Sequence, residues 1–373
     1  MENPALSTPP ESPLLGLHRS ASVEMGEYFG TILPARFGDF DAEYDSIRRA
    51  VAVVDTNYHA IFSLAGPDRQ RYLNAILSSN VRDLQAGQGT VGLLLTAQGH
   101  ILAEVETFAT ADRILALSHA MVRERTFSTL DKFIIMDDVT LEDWNATTGT
   151  LDLLGPRSAE LLSGLAKMDI SALAEMSHVE ATVASIPCRI VRRSFVGHPS
   201  ATLVAARKHL SPLWQELGRR VDAAGGAPAG MQAVNSIRLE SGVAWFGLDY
   251  DDKNIPHEAA LEQSHINYEK GCYTGQEIVE RVRSRGHANR RLTGLQFSGA
   301  NAPLAGTKLL VPGDPAAKEA GHVTSSGFSP LLGRFIGLGY VRREHSAVGT
   351  RLDASGGAAE VISFPLPNKP TSL

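Results

Sequence analysis

The chain has 373 residues, 43% hydrophobic and 20% charged, with a formal net charge of −6. That length suggests two to three domains with an ample core. The negative balance argues against nucleic-acid binding along the whole chain, though it leaves room for a local basic patch. No run of 18 apolar residues occurs, so no membrane-spanning helix is predicted, and two cysteines are too few for a disulfide framework.

The start of the chain lacks the basic region and apolar run of a signal peptide, so a cytoplasmic, reducing address is expected. Residues 1–22 carry Pro4, Pro9, Pro10, Pro13 and several serines and read as a disordered tail. We extend this tail to residue 34. Tyr44, Ile47, Val51 and Val54 share one helical face. Ala60–Leu64 reads as a strand, Gly66-Pro67-Asp68 as a turn, and Arg69, Tyr72, Leu73 and Ile76 as a helix. Two strands, Gly89–Thr96 and Ile101–Phe108, are joined by the Gln98-Gly99 turn. A strand at Ile114–Leu117, a helix at Phe127–Phe133 and a strand at Val139–Leu141 follow. Leu151–Leu154, Gly155-Pro156 and Ala159–Leu165 then repeat the order strand, Gly-Pro, helix, which suggests two related α/β units. Cys188 leads into a strand and reads as a core thiol. Gly225–Gly230 reads as a small-residue linker before a helix at Met231–Leu239. Beyond Arg291, short alternating runs at Leu292–Phe297, Lys308–Val311, Gly321–Ser325 and Ile336–Val341 are separated by glycine and proline turns. They predict a small antiparallel barrel or sandwich. The expected division is therefore a tail over 1–34, α/β domains over 35–290 and a C-terminal barrel over 291–373.

Two stretches carry chemistry. In Lys270-Gly271-Cys272-Tyr273-Thr274-Gly275-Gln276-Glu277, Thr274 and Glu277 have capping-box spacing, so a helix is expected to start there, with Glu277 and Arg281 at i,i+4. A helix N-terminus and Lys270 nearby would favour the Cys272 thiolate; the competing reading is a small buried cysteine in a glycine turn. The second stretch runs Ile237-Arg238-Leu239-Glu240-Ser241-Gly242, Phe246-Gly247-Leu248-Asp249 and Pro256-His257-Glu258-Ala259. Glu240, at an apolar helix end, could accept two parallel N–H donors from a 2-aminopyrimidinone edge, or it could pair with Arg238 or lie in solvent. A basic run of Arg281, Arg283, Arg285, His287, Arg290 and Arg291 could meet a polyglutamate, an acidic partner or RNA phosphates. Alternate arginines do not share a helical face, so RNA is the minority reading. No metal site is expected. His257-Glu258-Ala259-Ala260 has Leu261 where a zincin needs histidine, and Asp249–Asn254 lacks a calcium loop's glycine. One thiolate is also too few to hold an iron–sulfur cluster unaided.

The octapeptide resembles K-G-C-Y-x-G-Q-E of the YgfZ family, folate-binding proteins related to the T-protein (aminomethyltransferase) of the glycine cleavage system. Arg-Leu-Glu-x-Gly, aromatic-Gly-x-Asp, Pro-x-Glu-Ala, Leu154-Gly155-Pro156-Arg157 and Gly321–Ser325 with Ser329-Pro330 are similar to T-protein segments. The resemblance implies an α+β T-protein-like fold: two related α/β folate-binding units and a small antiparallel β-barrel. It implies tetrahydrofolate, or a one-carbon-substituted folate, as cofactor, with Glu240, Glu104 and Arg238 binding it. It implies Cys272 and Lys270 as working groups within a motif completed by Gly271, Tyr273, Gly275, Gln276 and Glu277. The T-protein's paired aspartates correspond to Ala103 and Glu104 here, and its aspartate at the motif corresponds to Cys272. The implied role is support of iron–sulfur enzyme assembly or repair, and of tRNA modification that depends on such enzymes, with iron–sulfur proteins or assembly factors as partners. A folate-dependent aminomethyl or methyl transferase and an RNA-interaction module are the alternatives.

Overall fold

The computed structural model describes residues 11–366, except Val196 and Pro315 and the side chains of Pro199 and Arg285. The chain forms two compact units that interleave in sequence. One comprises the residues up to Gln70, Asp83–Thr90 and Glu106–Val234; the other comprises Arg71–Arg82, Val91–Val105 and the residues from Asn235 onward.

The first unit begins earlier than the proline-rich composition suggests. A helix at Leu15–Ser20 and a hairpin of Glu24–Tyr28 with Thr31–Arg36 occupy most of the expected tail, while residues 1–10 lie outside the described residues. Burial is the reason. Leu14 is fully enclosed in the main core, and the buried Asp55 carboxylate accepts from Ser12 Oγ at 2.6 Å and lies 2.9 Å from His18 Nε2. Asp39 caps the next helix, Phe40–Arg49, by accepting from Ala42 N at 3.0 Å. The predicted helical face is cut short there, because Val51 and Val54 belong to the approach to a strand, Ala52–Asp55, and to the strand itself. Ala227–Pro228, expected as linker, pairs in parallel with that strand.

Helix Leu210–Ala223 shows how sequence pattern becomes packing: Leu210, Leu213, Trp214, Leu217 and Val221 lie on one face, and all are buried. They cover a six-stranded sheet whose strands include Thr148–Leu154, Ile186–Phe195 and His198–Ala206. Cys188 lies in this core, and burial pushes its thiol up to about 11. A five-stranded sheet holds His59–Ala65 and Arg113–His119, and the strand Ile101–Ala109 pairs with the latter through Glu106 to Ala109. The two Gly-Pro turns are alike in conformation. Gly66 and Gly155 have φ of +103° and +106°, each ends a strand and each precedes a helix. The sequence echo is thus a repeated structural unit.

In the second unit, residues from Arg290 form a closed six-stranded antiparallel barrel. Arg290–Phe297 pairs with both Arg334–Arg342 and Gly357–Ile362, which closes the ring and leaves no open edge. Leu295, Phe297, Val323, Val341, Leu352 and Val361 fill its interior. Four of its strands coincide with the predicted runs. Arg351–Ala354 and Gly357–Ile362 were not anticipated, because polar and small residues blur their alternation. No helix among the described residues is long and apolar enough to cross a membrane.

Candidate functional site

Every residue singled out in the sequence for catalysis or cofactor binding falls in the second unit. The motif loop is anchored rather than free. Asn267 Oδ1 accepts from Glu269 N and Lys270 N, both at 2.9 Å, and turns the Lys270 side chain inward. Lys270 is 6% exposed, and its ammonium donates to the carbonyls of Asn74 (2.5 Å), Ser79 (2.8 Å) and Leu77. Two of these carbonyls lie at the C-terminal end of the helix Arg69–Ile76, where a cation is favoured. Burial, and then Arg82, push the lysine down to about 8, while three hydrogen bonds favour the protonated form. All three of its N–H donors are therefore committed to backbone.

The rest of the octapeptide divides clearly. Tyr273 is buried. Gly275, at φ +83°, packs where a Cβ would come within 2.6 Å of Thr96 O. That contact moves the helix start: Gly275, not Thr274, is the N-cap of Gln276–Arg285, and no side chain caps it, so the expected capping box does not form. The Glu277–Arg281 pair does form, at 2.6 Å on the exposed face. Gly271 and Cys272 remain as the exposed tip, and a Cβ on Gly271 would meet nothing within 4 Å.

Arg238 and Glu240, two residues apart on the helix Met231–Glu240, take different partners. Arg238 is fully buried; it donates to Asp249 at 2.5 Å, to Val243 O at 3.0 Å and to Asn235 Oδ1 at 2.9 Å, and it stacks on Trp245. Asp249 in turn accepts from Thr324 Oγ1 (2.6 Å), Ser325 Oγ (2.5 Å) and Trp245 N (2.9 Å). Glu240 is 2% exposed, and its Oε1 accepts from Ser329 Oγ at 2.6 Å and Leu331 N at 3.2 Å. One oxygen of the carboxylate expected to receive a pterin is thus engaged by a turn of the barrel, and Arg238 pairs with Asp249 instead. Arg-Leu-Glu and Gly-x-Asp together tie the helix end to strand Glu319–Ser329.

Glu104 lies in a different setting. Strand alternation turns Ala103 fully into the core and leaves the Glu104 side chain 20% exposed. The buried Tyr250 hydroxyl donates to Glu104 Oε2, His265 Nε2 lies 3.1 Å from the same oxygen, and His265 Nδ1 lies 2.7 Å from the exposed Ser264 Oγ. Burial, reinforced by Glu104, raises Tyr250 well above the usual phenol range, so it serves only as a donor. Sequence reasoning missed Tyr250 and His265. Tyr250 was visible only as part of a failed calcium loop, and no local pattern marks His265.

The basic run is largely neutralised. Besides Arg281 with Glu277, Arg283 lies 4.0 Å over the Tyr268 ring, Arg290 pairs with Glu258 and Arg291 with Glu262. A cleft of about 480 Å³ between these elements is lined by His257, Glu262, Tyr268, Arg283, His287 and Arg343. The Arg285 side chain lies outside the described ones. Among the described residues, no group of three or more His, Cys, Asp or Glu is placed to hold a metal ion.

A two-sheet α/β region followed by a closed six-stranded barrel, with an Arg-Glu helix end bound to that barrel, defines the T-protein class of fold. The chain belongs to the glycine cleavage T-protein (GCVT) family: residues 14–266 match the GCVT N-terminal domain and residues 290–366 the glycine cleavage T-protein C-terminal barrel domain. It is 28% identical to an aminomethyltransferase of Rubrobacter xylanophilus over 89% of this chain and 87% of that one. It is 27% identical to an aminomethyltransferase of Rippkaea orientalis, covering 92% of each chain. The crystal structure of glycine cleavage system aminomethyltransferase T from Bartonella henselae superposes with a TM-score of 0.85 at 22% identity, covering 96% of this chain and 98% of that one, which establishes the shared fold.

Proposed function

We propose that the chain binds tetrahydrofolate and uses the exposed Cys272 to support the assembly or repair of iron–sulfur enzymes, with those enzymes or their assembly factors as partners. The observation that carries this reading is the division of labour within the motif. Lys270, Tyr273 and Gly275 have packing roles, whereas Cys272 stands at an exposed tip on a rigid anchor where packing asks for no thiol. A soft nucleophile presented this way suits a thiol-reactive or cluster-bearing protein partner. Glu104 suits the folate: a partly exposed carboxylate with one oxygen fixed by two groups is pre-oriented toward a ring N–H. Glu240 Oε1 is held by the barrel turn at Ser329 and Leu331.

Calorimetric titration of tetrahydrofolate under reducing conditions tests the first half. Saturable binding by the wild type, weakened at least tenfold in Glu104→Ala, is expected. Iron–sulfur enzyme activities in cells carrying Cys272→Ala test the second half: selective loss in some of them is expected, and full activity would refute the role. Folate-dependent aminomethyl transfer is the second reading, favoured by relatives of nearly full length that bear that name. Ala103, fully buried where a T-protein has an acid, weighs against it, and steady-state turnover of a folate one-carbon unit would decide for it.

A further inference from the structure

Ser264, His265, Glu104 and Tyr250 come from three separate stretches of chain and meet in one hydrogen-bonded line. Its ends differ. Ser264 is exposed, whereas Tyr250 is 2% exposed and sealed behind Glu104. Both central groups can change charge, and both are about four-fifths or more buried, at 13% exposure for the His265 side chain and 20% for that of Glu104. Tyr250 and His265 converge on one oxygen, Oε2, so any proton on that oxygen is governed by both.

We propose that Ser264, His265 and Glu104 form a proton relay between solvent and Glu104, with Tyr250 as a fixed second donor that keeps Glu104 ionised at rest. The proposal rests on the reading of Glu104 as the carboxylate that faces folate. In the starting tautomer the His265 Nε2–H donates to Oε2 and its Nδ1 accepts from Ser264 O–H. A proton arriving through Ser264 adds to Nδ1 as the serine hydroxyl is re-protonated from water. The imidazolium then releases its Nε2 proton to Oε2. The result is neutral Glu104 and a neutral imidazole carrying hydrogen on Nδ1, with one proton taken up and none lost; reversal returns it to solvent. Tyr250 also faces Asp249, which pairs with Arg238, and Tyr340, which faces Arg290 with its partner Glu258 as well as Asp251. Tyr250 and His265 are thus positioning residues, and Glu104 is the group presented to the ligand.

The test uses the intact, ligand-free protein with ¹⁵N-labelled histidine, titrated by NMR. The neutral His265 is expected as the Nε2–H tautomer. Glu104→Gln is expected to lower its titration midpoint by about one pH unit or more, because the nearby anion that favours imidazolium is gone. Tyr250→Phe, which removes a competing donor from Oε2, should raise it. An Nδ1–H tautomer, or a midpoint indifferent to Glu104→Gln, would overturn the relay. Calorimetry of tetrahydrofolate binding in two buffers of different ionisation enthalpy supplies the second arm: proton exchange on binding is expected in the wild type and lost in His265→Gln. Binding without proton exchange overturns the relay and leaves the folate reading intact. Absence of binding overturns the folate reading, and the NMR result still decides the coupling.

Discussion

Glu104 and Glu106 lie two residues apart on one strand, yet they have opposite fates. Glu106 is gripped by the guanidinium fork of Arg193, with Nη2 2.5 Å from Oε2. Burial works against the charge on Arg193, but Glu106 and Asp152 outweigh it and hold the guanidinium firmly protonated. Glu104 instead meets the Tyr250 phenol and the His265 imidazole. The first arrangement is an ion pair; in the relay proposed above, the second can gain or lose a proton without breaking. Partner identity, not strand position, separates the two carboxylates.

The sharpest way to break this contrast is Arg193→Ala. It leaves Glu106 and Asp152 without their counter-charge, and a loss of about 3 kcal/mol is expected by urea denaturation at pH 7, within the range for breaking partly buried pairs. A loss no larger than that of Tyr250→Phe, about 1 kcal/mol for one hydrogen bond, would erase the distinction. Lys270→Met extends the test to the motif. It keeps the stem but strands three buried carbonyls, and should cost about 2 kcal/mol, which would confirm the lysine as an anchor. Asp152→Asn probes the proton side. Burial pushes Asp152 up to about 6, with Arg193 opposing. Its folded pKa thus lies above the unfolded value, so its contribution to stability is full below about pH 4 and is lost as pH rises through about 6. The asparagine should therefore be more stable than the wild type by about 1 to 2 kcal/mol at pH 8, an advantage that disappears by pH 4; an advantage independent of pH would mean that Asp152 does not titrate. The smallest effect is expected for Cys272→Ser. At an exposed tip it should alter stability by less than about 0.5 kcal/mol while abolishing the proposed support of iron–sulfur enzymes. A large loss of stability would make Cys272 one more anchor.

Much of the architecture was legible beforehand. Four barrel strands, both Gly-Pro turns, the core cysteine and the helix Met231–Glu240 follow from periodicity and turn residues, which act over a few positions. Failures came where a local signal met a tertiary contact. Proline-rich composition hid a helix and a hairpin that Leu14 and His18 bury. The Thr274–Glu277 pattern lost its cap to the close packing of Gly275 on Thr96. Glu240 ended a helix as expected, and one of its oxygens accepts from a barrel turn that no local pattern marks.

The sequence by itself determined where most of the elements lie, that a small antiparallel barrel or sandwich follows residue 291, and that the K-G-C-Y-T-G-Q-E segment is special, because hydrophobic spacing, glycine and proline act locally. Only the tertiary structure decided that Arg238 serves Asp249, that Lys270 serves three carbonyls, and that Tyr250 and His265 share an oxygen of Glu104. These partners lie 11 to nearly 200 residues apart. A buried charge takes whichever donors or acceptors the packed core brings within about 3 Å, since leaving it unpaired costs several kcal/mol.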